Sequence, residues 1–193
     1  MIHFVSYNKR NFINNRLQMT QARTQPLSPA DLTDEQRDFL KPFTDREGRF
    51  PNVFGTLVQH MDLVRAWSEF GLYTLRGNQL DPVLREVLIL RTAVLIGSDY
   101  EWHQHRKIAI RLGMSDDIIE QVKNGKQTSE PDIDLLIQAA NELIADHRLA
   151  DDTWKRLMSR FDLTYVLDVI FTVGAYTALG MALNSCDVQV EDQ

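Results

Sequence analysis

Apolar residues recur along this chain at spacings of three, four and seven, the period of an amphipathic helix, and no stretch of useful length alternates with period two. Thr33-x-x-Gln36 is a capping-box pattern, predicting a short helix that ends near Pro42. Gly48 and Pro51 mark a loop over 45–52. A long helix is expected over about 53–75, with Leu57, Met61, Val64, Trp67 or Ser68, and Gly71 on its buried stripe, closed by Gly77-Asn78. The next pattern, 82–96, is apolar on nearly every face, as a helix in the middle of a core must be. Pro82 suits its first turn, where a missing N–H has no helical partner anyway.

After a break at Gly97-Ser98 a second helix carries Tyr100, Glu101, Trp102, His103 and His105. Gly113 fits its C-cap, and Ser115 the N-cap of a short helix to about 123. Residues 125–131 read as a connector. Leu135, Leu136, Ala139, Leu143 and Ile144 then set a helix over 132–145, and Asp151 or Asp152 caps another through Trp154, Leu157 and Phe161. The last helix, about 164–183, is apolar almost throughout, with Asp168 its one charge. Its uncharged run, 169–184, falls short of the roughly 20 apolar residues a membrane span needs, so a core helix is expected. Gly174, Ala175, Ala178, Gly180 and Ala182 on it would let another backbone approach closely, from this chain or a second subunit. The fold class is all-α, a helical domain over 31–193 behind an N-terminal arm of residues 1–30.

Composition changes this picture little. A chain of 193 residues can bury a sizeable core. Its net charge is −6; residues 1–30 hold four basic side chains and no acid, so the remainder carries −10. That balance argues against a nucleic-acid partner. The Asn- and Gln-rich arm lacks the apolar core of a secretory signal, loosely resembles an organelle transit peptide, and contains Met19 as an equally good start. A single cysteine, Cys186, excludes an intrachain disulfide and fits a reducing compartment, so a cytoplasmic location is expected.

The candidate chemistry gathers around the break at Gly97-Ser98. Glu86 has Val83, Ile89, Leu90 and Ala93 as helical neighbours, and a carboxylate on such a stripe is costly unless paired, protonated or wet. It is either a structural partner of Arg91, Arg111 or a helix N-terminus, or a general acid/base whose pKa desolvation raises. His105 shares an apolar stripe with Trp102, Ile108 and Ala109, while His103 shares a polar one with Asp99, Arg106 and Lys107. His105 is therefore expected to point inward, where Glu101 can hydrogen-bond it at i,i+4, and His103 toward water or a subunit boundary. Glu101 also completes a capping box with Ser98. Tyr100 and Trp102 could wall a pocket, and His60 lies beside the stripe of the preceding helix. Glu86, Glu101, His103 and His105 are four potential metal ligands. The two histidines point different ways, though, and the paired Glu-x-x-His repeats of di-iron bundles are missing, so neither a metal nor another cofactor is expected.

Glu86 in its buried helix, then Tyr100-Glu101-Trp102, His105, Ala109 and Gly113, resemble the carboxymuconolactone decarboxylase and alkylhydroperoxidase-like family, more loosely over 52–184. In the peroxidase branch a Cys-x-x-Cys pair precedes the histidine; those positions hold Ser98 and Glu101 here. The resemblance therefore implies the decarboxylase-type branch and puts a thiol–disulfide cycle in doubt. It implies a lyase acting on a small organic acid or lactone, with Glu86, His105 and Glu101 catalytic and Tyr100, Trp102 and His60 near the substrate. On that reading His105 stabilises negative charge and Glu86 delivers a proton, oriented by Glu101 and Tyr100. It also implies a homo-oligomer, trimer or hexamer, without membrane contact. The competing readings are a peroxide-reducing antioxidant protein and a non-catalytic oligomeric binding protein on the same fold.

Overall fold

The computed structural model describes residues 22–191, and the chain there is all-α. Helix α1 (Asp34–Leu40) starts from the expected box: Thr33 Oγ1 accepts from the Gln36 N–H at 3.3 Å and Gln36 Oε1 from the Thr33 N–H at 2.9 Å. The expected long helix over 53–75 is instead three pieces. Helix α2 (Asn52–Leu57) stops, α3 (Met61–Leu72) restarts, and a wide π-type turn (Tyr73–Gly77) follows. The interruption comes from His60, whose extended backbone and Nδ1, accepting from the Leu63 N–H, make it the N-cap of α3. Leu32, Leu40, Val58 and Val64 form a small core here.

Helix α4 (Pro82–Ile96) begins as expected, with Asp81 accepting from the Val83 and Leu84 N–H groups and Pro82 in the first turn. Then come α5 (Asp99–Arg111), α6 (Asp116–Asn124), α7 (Pro131–Asp146), α8 (Asp151–Arg160) and α9 (Leu163–Cys186). Ser115 and Asp162 cap α6 and α9 with their side chains. Neither Asp151 nor Asp152 caps α8; Ala150 holds the N-cap position, and its N–H goes to Glu142 Oε2 at 2.9 Å.

The apolar-all-round pattern of α4 has its cause in packing: α5, α7 and α9 all lie against it. Val87, Leu88 and Leu90 enter the main core with Leu135, Leu136, Val166 and Val169. Ile89 packs the other way, against Ala175 and Tyr176 of α9. Burying each such side chain contributes about 1.5–3 kcal/mol. By length and composition α9 alone would be long and apolar enough to cross a membrane, but half of its most apolar window is buried against this bundle. Its charge is accounted for: Asp168 accepts from the Tyr73 hydroxyl at 2.6 Å and the Gln79 N–H at 2.9 Å, tying the π-type turn to α9.

Both ends of the described chain run over the same face. The Leu27 N–H reaches Gly55 O and the Thr24 N–H reaches Cys186 O; residues 1–21 of the N-terminal arm lie outside the described residues. Beyond α9, Glu191 Oε1 accepts from the Asn52 N–H and the Tyr100 hydroxyl, both at 2.6 Å, and Gln104 donates to its other oxygen.

Candidate active site

The turn between α4 and α5 sets the site. Gly97 sits in the left-handed region (φ +67°), where a side chain would be strained, and the Ser98 N–H folds back to Ala93 O at 2.8 Å. This closes α4 with a Schellman-type cap, so the predicted Ser98–Glu101 capping box does not form; the Ser98 N–H is already engaged. Glu101 is released from the backbone and turns inward.

Two residues of α4 and α5 then meet. Glu86 is completely buried, and its Oε2 lies 2.7 Å from His105 Nδ1. The partner of the buried carboxylate is thus the histidine rather than Arg91 or Arg111. Arg91 instead ties Asn141 to the C-terminal carbonyls of α6. Likewise the residue that orients His105 is Glu86, not Glu101 at i,i+4. With Nδ1 held by the carboxylate, the ring turns Nε2 the other way, an acceptor when the imidazole is neutral and an N–H donor when it is protonated. Tyr176 of α9 packs on the imidazole edge-on, ring centroids 4.9 Å apart.

One turn along, α5 and α9 meet a second time. His105 and Tyr176 face each other, and so do Glu101 and Gly180, each four residues away on its helix. A methyl group on Gly180 would lie 2.6 Å from Glu101 Oε2, so the glycine makes the space the carboxyl occupies. Neither oxygen of Glu101 has a hydrogen-bond partner among the described residues. Burial pushes its pKa up to about 8, opposed only by the nearby Ser98 hydroxyl, which stands outside hydrogen-bonding geometry. Tyr176 is held well above the ordinary phenol value by burial first, then by the charges of Glu86 and Glu101, with Arg85 acting the other way. Arg85, Glu86, Glu101, His105 and Tyr176 are thus electrostatic neighbours.

The raised Glu101 value has a sign for stability. Between its ordinary 4.5 and about 8 the folded chain keeps a proton that the unfolded chain releases. Stability is therefore expected to fall as pH rises through that window and to level off above it. Glu101→Gln should flatten the slope and raise the melting temperature most above pH 8. Melting curves across pH check this; an unchanged slope would mean the carboxyl is not held neutral.

The other predicted residues lie elsewhere. Tyr100 is buried, but its hydroxyl faces Glu191 and the Val53 N–H. Trp102 is half-buried against the main core with Lys123 Nζ over its ring. His60 caps α3 at the surface. His103 is half-buried, its Nε2 enclosed without a hydrogen-bond partner. Sequence reasoning missed Arg85, Tyr176 and the use made of Gly180. Arg85 was detectable as the neighbour of an anomalous acid; Tyr176 was not, because α9 is apolar all round and marks no inward face. No group of three or more His, Cys, Asp or Glu among the described residues has the geometry to hold a metal ion.

Residues 61–124, which contain α3 to α6, match the model of the carboxymuconolactone decarboxylase family. The fold is similar to that of the alkylhydroperoxidase AhpD core, in an uncharacterised peroxidase-related protein from Ralstonia eutropha JMP134 (TM-score 0.78, 20% identity, covering 89% of this chain and 93% of that one). A peroxidase-related protein from Silicibacter sp. TM1040 is similar at TM-score 0.76 and 16% identity, covering 90% and 95%. A cysteine-to-alanine variant of the debrominase Bmp8, in complex with 2,3,4-tribromopyrrole, is similar at TM-score 0.67 and 14% identity, covering 90% and 93%. No curated protein matches the chain. At these identities the solved structures establish the fold alone.

Proposed function

With residues 61–124 matching the carboxymuconolactone decarboxylase family and an AhpD-like fold around them, we propose that the chain is an acid–base enzyme of the decarboxylase or lyase type, acting on a small organic acid or lactone. The observation that carries this reading is the 2.7 Å contact between buried Glu86 and His105, with a second, unpartnered carboxyl one helical turn away. Decarboxylation breaks a carbon–carbon bond, releases carbon dioxide and leaves the electron pair on an enolate that must gain a proton. The geometry supports a division of labour. Glu86 orients His105, whose Nε2–H, present when the ring is protonated, steadies the developing negative charge, and Glu101 supplies the proton because burial keeps it protonated near neutrality. Turnover should then decline as pH rises through about 8. A panel of carboxylated lactones and β-keto acids, read by carbon dioxide release, tests the reading; no release from any member counts against it.

The relatives described as peroxidase-related are the ground for the competing reading, a peroxide-reducing protein. Against it stand Ser98 and Glu101 at the thiol positions, and Cys186, which packs beside Tyr100, Leu183 and Val188 at the end of α9. Hydroperoxide consumption that disappears in Cys186→Ser would favour this alternative.

We further propose a homo-oligomer. Leu163, Leu167, Phe171 and Met181 form an exposed apolar row along α9, and Phe70 of α3 extends it edge-on to Phe171. No charged side chain interrupts the row between Leu163 and Met181, since Asp168 is buried. Further copies of the chain covering it would build the trimer or hexamer that the family resemblance implies, and Phe171→Glu should shift the assembly toward monomers in light scattering. A monomeric wild type would refute this.

A further inference from the structure

Arg85 stands at the edge of the proposed site, and its side chain is only 12% exposed. Its Nε is fully enclosed and has no hydrogen-bond acceptor; the nearest anionic oxygen, Glu86 Oε1, is 3.8 Å away and equally unpartnered. No other ion pair and no hydrogen bond joins the Arg85 guanidinium to a described residue. The same helix shows what this chain does with a structural arginine. Arg91, also half-buried, donates to Asn141 Oδ1 at 2.7 Å and to the Lys123 and Val122 carbonyls at 2.8 and 3.3 Å. The Arg85 Nε is shut away from solvent and has only the 3.8 Å ion pair with Glu86 in return. A buried charge left in that condition is the signature of a group that awaits a partner from outside.

The guanidinium is a planar fork whose paired N–H groups match a carboxylate bidentately, a fit an ammonium lacks. The surrounding charge permits an anion there. Glu86 is turned to His105 through its other oxygen, and Glu101 is held neutral near pH 7. His105, the group assigned to the chemistry, shares with Arg85 a small residue of accessibility at 11%, so both can meet a molecule that enters. We propose that Arg85 is the residue that binds a carboxylate group of the substrate, making the substrate class small organic carboxylic acids in ionised form. This rests on the reading of the site as an acid–base centre. It separates that reading from peroxide chemistry, which gives Arg85 no anion to hold.

The test uses the intact chain, with acetate, succinate and maleate as probes and dimethyl maleate as the uncharged control. The Arg85 Nε–H resonance, assigned by its loss in Arg85→Lys, should shift saturably with at least one carboxylate and not with the ester. Arg85→Gln should weaken that binding by about tenfold or more, the loss expected of one charge-assisted pair. No shift with any carboxylate, equal binding of the ester, or unweakened binding in Arg85→Gln would each overturn the assignment. Should Arg85→Gln fail to fold, the wild-type resonance alone still decides. Binding through Arg85 with no turnover of any tested acid would count against the decarboxylase reading alone. Turnover with unchanged KM in Arg85→Gln would count against the Arg85 assignment alone.

Discussion

His105→Ala is expected to lower carbon dioxide release from the best substrate of the panel by about 10²–10⁴-fold, the range a positioned acid–base group supplies. The imidazole is largely buried and bonded to Glu86, so its loss also leaves a buried carboxylate with only the 3.8 Å ion pair to Arg85. Some destabilisation will therefore accompany the kinetic effect, on the order of 3–5 kcal/mol if the acid stays charged. Glu86→Gln separates the two. The amide preserves volume but can offer Nδ1 an N–H in place of an acceptor and so favour the wrong tautomer. It should cost turnover on a comparable scale with a smaller loss in melting temperature. Full activity in either variant would remove the dyad from the mechanism.

Gly180→Ala should be the most damaging single-methyl change in the site. The added carbon would stand 2.4 Å from Ile96 Cδ1 and 2.6 Å from Glu101 Oε2, with Ser98 Cβ at 3.3 Å. The first two atoms are ends of flexible side chains, but Glu101 is 2% exposed and has nowhere to swing. Either α9 lifts from α5 or the carboxyl is displaced. Overpacking of this kind costs about 1–3 kcal/mol, and loss of the displaced proton donor should lower kcat further, by about 10²-fold. Gly174→Ala on the same helix is the control, since nothing lies within 4 Å of a methyl group there. It should leave kcat near the wild-type value and hold or raise the melting temperature, since alanine favours the helix over glycine. Indifference at Gly180 would show that the two helices are not in close register.

Much of this is legible in the residues. An acid on an apolar stripe and an inward histidine on the next helix identify the pair that meets, because helical period alone decides which way each faces. Caps read well where a side chain commits to one backbone group, as at Thr33, Asp81 and Ser115. They mislead where two local solutions compete. Ser98-x-x-Glu101 matches a capping box, but Gly97 adopts positive φ and gives the Ser98 N–H to α4. His60 reads as lying beside a stripe, yet its ring nitrogen restarts the helix. Long-range partners are the hardest. Glu191, which holds the Tyr100 hydroxyl, lies in a tail with no pattern of its own. Tyr176 sits in a helix whose uniform apolarity hides direction. Gly180 is legible as a point of close approach, though what approaches is Glu101 rather than another backbone.

Glu86 and His105 are only 19 residues apart and are joined by one tight turn, whereas α9, the helix that roofs them, follows much later in the chain. During synthesis the acid and the imidazole are both made before the strongly apolar roof, so neither is sealed from water until α9 has followed. The nascent protein thus holds its reactive pair in bulk water, where an acid such as Glu101 ionises freely. Competence arrives only when the later segment settles and shuts the solvent out.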